Sequence, residues 1–322
     1  MKKILFFLSL ATVTFFISYY FSYPKLLRDV KKADTLGIVK EIKNINIQGV
    51  ENPINASIEE YLDSYIMAFR INEKGSNHIA ISFLDKNFNE IGLFKKIDVK
   101  SEHAEDARIF KYGDDYFLIY NDKLPIEHNA RAMNLAKIND KTLHLDYKTV
   151  LDQHIKIVEK NWTPFIAKNE IHFAYSLMPH KILRLNNLQK NDLTHLVFEE
   201  GCFTRFFWKW GEPRGGTPAK LIDGKYLSFF HSSFGKNKKS KRYVMGAYVF
   251  ETDPPYKVTK VTKFPLIFGD VKKTRVYFPT SFILKKENGR DMIYLSYGEN
   301  DKVSKIAVID KEKLFENMQD VY

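Results

Sequence analysis

One cysteine in 322 residues, Cys202, leaves no partner for an internal disulfide and cannot build a cysteine-based zinc cluster. The nine histidines show no paired ligand spacing, so no metal site is expected and metal-free chemistry is the default. Acidic residues are outnumbered, 39 against 50 Lys and Arg, for a net charge of +11. The lysines are scattered along the chain, and the densest stripe, Lys236, Lys238, Lys239, Lys241 and Arg242, carries no interleaved nucleic-acid motif. No nucleic-acid partner is expected. Nothing in the composition suggests disorder, and 44% apolar residues suffice for a large packed core.

One long hydrophobic run is present. Ile4 to Phe21 carry no charge and follow Lys2 and Lys3, with Lys25, Arg28, Lys31 and Lys32 beyond. The length is marginal for a bilayer span of about 20 residues, and no small-residue cleavage site precedes Pro24. The expectation is a signal-anchor helix over residues 1–23, single-pass, with a cleaved signal and a secreted or periplasmic protein as the alternative. A charged connector over 24–45 and a folded domain over 46–322 complete the organisation.

From residue 46 onward, short alternating segments rich in Tyr, Phe, Ile and Val are separated by Asn, Asp, Gly and Lys, the pattern of antiparallel strands. One segment type recurs: Tyr65–Arg70, Tyr116–Tyr120, Ile171–Tyr175, Tyr226–His231 and Met292–Tyr297, at intervals of roughly 50 to 65 residues. A unit of that size cannot bury both faces alone and must stack on its neighbours. The expected fold is all-β, a five-bladed β-propeller, with a two-sheet sandwich as the alternative. Sites in propellers lie where the central channel opens, so polar residues at matching places in the repeats become candidates.

Each repeat has such a cluster. The first, Glu51 to Ser57 with Asn55 among them, runs into the first repeat and ends at Arg70, by itself a turn and a strand. The second sets Glu105, Asp106 and Arg108 side by side; a carboxylic acid beside a guanidinium can be held in one rotamer for proton transfer, although a surface ion pair is the plainer reading. Lys160, Asn161 and Trp162 precede the third repeat, where Trp suits stacking on a sugar ring but is more often core. Arg214, Gly215, Gly216 and Thr217 precede the fourth, with glycines that allow close backbone approach but without the spacing of a phosphate-binding P-loop. The fifth comprises Tyr277–Thr280 and Tyr297–Asp301. Asn55 and Asn161 also head formal glycosylation sequons, which are not expected to be used because both lie inside these motifs.

Taken in order, these residues resemble glycoside hydrolase family 130, which includes β-mannoside phosphorylases, and its relatives among β-1,2-mannosyltransferases. Glu105-Asp-Ala-Arg108 is similar to the family's Glu-Asp-Pro-Arg signature, with Ala107 in place of proline. Lys160 ahead of an aromatic and Pro164, Gly215-Gly-Thr-Pro, His231, Tyr243–Ala247, Asp253–Val258, Phe278-Pro-Thr280 and Tyr297-Gly298 with Asp301 continue the match over residues 50 to 310. Asn161-Trp162 and His231-Ser232, where His-Gly is commoner, mark a divergent branch.

The resemblance implies Asp106 as the catalytic acid or base, and Arg131, Lys160 and His231 as phosphate-binding residues. It implies Asn55, Arg70, Glu105, Arg108, Asn161, Trp162, Arg214, Gly216, Thr217, Tyr243 and Asp301 as sugar-binding. The implied activity is phosphorolysis of, or glycosyl transfer to, β-mannosidic bonds, with phosphate, a sugar phosphate or a nucleotide sugar as co-substrate and no cofactor. An inverting phosphorylase needs one protein acid, because phosphate itself attacks once cations hold its charge. A hydrolase needs a second carboxylate, and Glu170, Glu212 and Glu299 are the candidates. A glycan-binding propeller without catalysis is the remaining alternative.

Overall fold

The computed structural model describes residues 36–124, 130–152, 156–199, 204–235, 241–266 and 276–322. The expected signal anchor lies outside them, as do Cys202 and the lysines at 236, 238 and 239; among the described residues no helix is long and apolar enough to cross a membrane.

The β-branched and aromatic segments form strands, as their fit to a pleated, half-buried surface dictates. After β1 (Val39–Asn44) come five antiparallel meanders. The first is β2 (Ile54–Tyr61), β3 (Ser64–Glu73), β4 (Ser76–Leu84) and β5 (Glu90–Lys96). The second is β6 (Glu105–Tyr112), β7 (Asp115–Lys123), β8 (Arg131–Asn139) and β9 (His144–Asp152). The third is β10 (Thr163–Ala167), β11 (Glu170–Leu177), β12 (His180–Leu185) and β13 (Leu193–Phe198). The fourth sets β14 (Arg214–Gly215) and β15 (Lys220–Ile222) against β16 (Lys225–Phe234), followed by β17 (Arg242–Phe250) and β18 (Val258–Thr262). The fifth is β19 (Tyr277–Glu287), β20 (Arg290–Glu299) and β21 (Val303–Asp310), then helix α1 (Lys311–Glu316) and β22 (Met318–Asp320).

The recurring sequence segment takes the second position across every meander, on β3, β7, β11, β16 and β20, with β14 and β15 sharing the first position of the fourth. Its central residues are buried on both faces, hence the near-continuous Tyr, Phe, Ile and Leu.

Outer strands tie the meanders together. β1, expected within the connector, adds antiparallel to β21 with Val39 opposite Ile309, so the start of the described chain completes its last meander. β22 adds to β18, pairing Lys260 with Asp320. Asp310 caps α1 by accepting from Lys313 N, and Leu314 anchors the helix in the core. β9 and β13 pair in parallel, merging the second and third meanders into an eight-stranded sheet. Each such addition covers a strand edge that would otherwise offer unpaired backbone groups.

The core lies between meanders. One cluster joins Phe165 of β10 to Tyr226 and Phe250; another joins Ile58 and Met67 to Ile283 and Tyr294 of the fifth meander. Innermost strands meet through polar groups instead: Ile58 N donates to Ser281 Oγ at 2.6 Å, Ile109 N to Ser57 Oγ at 3.0 Å, and Thr280 Oγ1 to Ala56 O.

Candidate active site

The heads of the first strands share one irregularity. In β2 the register jumps between Ile54 and Ser57, and in β6 between Glu105 and Arg108, one extra residue each, a β-bulge. The bulged residues Asn55 and Asp106 have φ of 52° and 57°, left-handed backbone that Asn and Asp tolerate better than most residues. Asn161, just ahead of β10, has φ 63°. The two bulges bring the Asn55 and Asp106 side chains within hydrogen-bond distance of each other.

Two residues beyond each head stands a buried polar group: Ser57, Arg108, Thr163, Thr217 and Thr280, none more than 1% exposed. Asn-Ala-Ser, Asp-Ala-Arg, Asn-Trp-Thr, Gly-Gly-Thr and Phe-Pro-Thr display this spacing, and of the five buried groups Arg108 and Thr217 are also among the expected sugar contacts. Both formal sequons follow the spacing, and Asn55, 3% exposed and bonded to Asp106, has no room for a glycan.

Asn55 Nδ2 donates to Asp106 Oδ1 at 2.8 Å, and Arg70 Nη1 lies 3.7 Å from the same oxygen. Arg70 also reaches Glu105 at 3.1 Å and Asp301 at 3.6 Å. Burial would by itself raise the Asp106 carboxyl, but Arg70, Arg108, the Asn55 hydrogen bond and Lys160 together outweigh it and hold the group below the usual carboxylate range. Asp106 is therefore an anion at neutral pH. Asp301 is pushed the other way, first by burial and then by the Asp106 and Glu105 charges, against Arg70 and a hydrogen bond with Asn55.

Glu105 is the hub of the cations. Arg70, Arg131 and Lys160 approach it at 3.1, 2.9 and 2.8 Å. Arg131 is further fixed by donating to His103 O at 2.7 Å and to Asn121 Oδ1. Of the residues expected to bind phosphate, Arg131 and Lys160 thus already share a counter-charge, and an incoming anion competes with Glu105 for them. Lys160, 38% exposed, is the one with freedom to turn.

His231 departs from expectation more sharply. It is buried between Phe278, at 4.7 Å, and Tyr243, at 6.2 Å. Burial first, then Arg108 and Arg214, push its pKa down to about 3, against Asp106 and a backbone hydrogen bond at Gly215. It is neutral at physiological pH and offers a hydrogen bond to an anion, not a charge.

Arg108 is placed by the fold as a central cross-brace. It donates through Nε to Gly216 O, in the fourth meander, and through Nη1 to Asp106 O at 2.7 Å, with its guanidinium 5.0 Å from the Phe278 ring. It is 1% exposed, and burial, partly offset by Asp106, lowers its pKa to about 10.

Three other expected sugar contacts are packing residues. Trp162 is fully buried against Phe173 and Tyr175, its Nε1 donating to Glu159 at 3.3 Å, so its ring offers no face to a sugar. Thr217, fully buried, accepts from Phe229 N at 3.0 Å. The twin glycines serve neighbouring strands: a Cβ on Gly215 would strike Asn161 O, and one on Gly216 would meet Phe229 O and Pro279. Gly298 likewise makes space for the Asn55 amide. Arg214 is exposed, 3.9 Å from Glu212.

The second carboxylate of a hydrolase finds no settled holder. Glu170 pairs with Arg184 at 3.4 Å, Glu299 with Lys305 at 2.7 Å, and Glu212 is 68% exposed. A pocket of about 260 Å³ adjoins the cluster through Lys160, Asn161, Arg214 and Gly215. A roomier cavity of about 600 Å³, lined by Asn134, Tyr147 and Asp192 among others, shares no residue with it.

The fold is shared with solved structures of several carbohydrate-active proteins. No family model and no curated protein matches the sequence. Among solved structures, the chain is similar to a β-1,2-mannobiose phosphorylase from Listeria innocua, with 14% identity, 86% of this chain and 96% of that one covered, and a TM-score of 0.60. It is similar to a GDP-Man-dependent mannosyltransferase from Leishmania mexicana, with 13% identity, 88% and 94% covered, and a TM-score of 0.59. It is also similar to a structure from the GH130 family of mannoside phosphorylases, described as containing hydrolases that target β-1,2 mannosidic linkages in Candida mannan, with 11% identity, 81% and 85% covered, and a TM-score of 0.61. The fold agrees with the resemblance read from the sequence, although the identities are low.

Proposed function

We propose that the protein is a carbohydrate-active enzyme of the family 130 type, its five meanders the blades of a propeller around Arg108, and that it transfers mannosyl groups to or from β-mannosidic bonds. The observation that carries this reading is Asp106, a bulge-strained carboxylate locked by Asn55 and ringed by Arg70, Arg108 and Lys160. A carboxylate held in one place at Asp106, beside the cations that Glu105 gathers, suits a one-step inverting displacement in which the phosphate is either leaving group or nucleophile.

In synthesis, the acceptor hydroxyl oxygen forms a bond to the anomeric carbon as the bond from that carbon to the phosphate oxygen breaks. The electron pair leaves with the phosphate, and the hydroxyl proton passes to Asp106. Phosphorolysis is the reverse, and it starts from protonated Asp106. The depressed pKa leaves Asp106 ionised before an acceptor arrives, which is the protonation state from which synthesis starts. The run over residues 4–21 would tether the enzyme to a membrane, where a glycan acceptor can be extended.

The test uses the full-length chain with mannose 1-phosphate or GDP-mannose and manno-oligosaccharide acceptors, and separately β-1,2- and β-1,4-linked manno-oligosaccharides with and without phosphate. Chain extension lost in Asp106→Asn supports transfer; phosphate-dependent release of mannose 1-phosphate reverses the direction but keeps the site. Release of mannose without phosphate dependence makes the protein a hydrolase. Glycan binding without turnover, unchanged in Asp106→Asn, leaves a binding propeller.

A further inference from the structure

The pocket of about 260 Å³ beside Lys160 lies between the third and fourth meanders and brings together three cations. Lys156 and Lys160 come from the segment ahead of β10, and Arg214 from β14. Lys156 Nζ stands 5.3 Å from the centre of the Tyr175 ring. Glu159, in the pocket wall, is buried with its oxygens bonded to Trp162 Nε1 at 3.3 Å, Tyr175 Oη at 3.2 Å and Lys156 N at 2.8 Å. Its charge is spent on groups of the wall, and neither lysine ammonium is bonded to it. Glu212 is turned mostly to solvent, 3.9 Å from Arg214. Lys160, bonded to Glu105 at 2.8 Å, links the pocket to the cluster around Asp106.

A single phosphoryl group next to the reacting sugar would be met by Lys160. Two more cations line the same pocket, Lys156 from the segment ahead of β10 and Arg214 from β14, and they have no counterpart in a one-phosphate ligand. Resting on the mannosyl-transfer reading, we infer that this pocket holds the diphosphate of a diphosphate-bearing leaving group, such as a nucleoside diphosphate. Lys160 contacts the phosphoryl bonded to the sugar, and Lys156 and Arg214 clamp the distal one. When the sugar leaves, the electron pair of the broken bond between sugar carbon and phosphate oxygen stays on the diphosphate, and these three cations stabilise it. The small volume accommodates the diphosphate alone, so a nucleoside would extend past the exposed rim formed by Glu212 and Arg214.

Calorimetric titration of the full-length chain with inorganic phosphate, pyrophosphate and GDP tests this. Pyrophosphate is expected to bind at least about tenfold more tightly than phosphate, and Lys156→Ala and Arg214→Ala each to weaken pyrophosphate about five- to tenfold with little effect on phosphate. GDP binding more tightly than pyrophosphate identifies a nucleotide as the source; equal binding identifies a bare diphosphate ester. Equal affinity for phosphate and pyrophosphate, or pyrophosphate binding indifferent to both substitutions, overturns the inference. Binding does not depend on turnover, so the two readings fail separately. Pyrophosphate held by Lys156 and Arg214 without sugar transfer sinks the enzymatic reading alone. Transfer that needs Asp106 but ignores Lys156→Ala and Arg214→Ala sinks the pocket alone.

Discussion

Asn55 Nδ2 donates a 2.8 Å hydrogen bond to Asp106 Oδ1, and the two residues hold the same place on neighbouring meanders, second in their strands and left-handed at φ 52° and 57°. The first meander thus supplies the clamp for the carboxylate of the second. A hydrogen bond to a charged acceptor contributes about 1.5–3 kcal/mol. Asn55→Ala is expected to destabilise the protein by about that amount, to raise the Asp106 pKa, and to move the acid limb of transfer activity to higher pH. Asn55→Gly, which keeps the backbone relaxed, separates the lost bond from strain. A pH–rate profile with its acid limb unmoved in both variants would sever Asn55 from the carboxylate.

Gly298 and Gly215 predict different failures. A Cβ at Gly298 falls on the Asn55 side chain, which can swing away, whereas one at Gly215 falls on the backbone carbonyl of Asn161, which cannot. Gly298→Ala should lose activity about as Asn55→Ala does, with a modest loss of stability. Gly215→Ala should cost about 2 kcal/mol or more by overpacking. Urea denaturation beside turnover measurements distinguishes them, and equal stability losses would contradict the geometry.

His231 sets an acid-stability signature. Its pKa falls from 6.5 to about 3 on folding, so the unfolded chain takes up the proton first. Stability from this group is complete above about pH 6.5 and declines by about 1.4 kcal/mol per unit as pH falls toward its folded pKa. The neutral variant His231→Gln should lose stability less steeply between pH 6 and pH 4. Parallel curves for the two proteins would mean that His231 is charged when folded.

Arg108 and Trp162, both expected to touch sugar, should behave as framework. Arg108→Ala removes the brace to Gly216 and leaves Asp106 short of a counter-charge, for an expected loss of about 3–5 kcal/mol. Trp162→Ala should cost about 3–5 kcal/mol through its cavity, with the KM for sugar unchanged in whatever protein folds. A raised KM with full stability in the Trp162 variant would return that ring to the binding site.

Strand alternation and the recurring segment were legible because hydrophobic burial acts on local sequence. Every copy, from Tyr65–Arg70 to Met292–Tyr297, is a second strand buried on both faces, and such a strand must be written in aromatic and branched residues. The cluster of Asn55, Arg70, Glu105, Asp106, Arg131, Lys160 and Asp301 was also legible, through family resemblance. Less legible was the set of Ser57, Arg108, Thr163, Thr217 and Thr280, since four short hydroxyl residues and one arginine carry no hydrophobic period.

The sequence alone determined an all-β chain of five related units and the residue types at their heads. Only the tertiary structure decided what those residues do. Burial made His231 neutral, Glu105 gathered the cations expected for phosphate, and Trp162 and the twin glycines went to packing. Charge and hydrogen bonding at the cluster arise from residues far apart in the chain, 35 for Arg70 and Glu105, 51 for Asn55 and Asp106 and 55 for Lys160 and Glu105, and no local pattern encodes which head will face which.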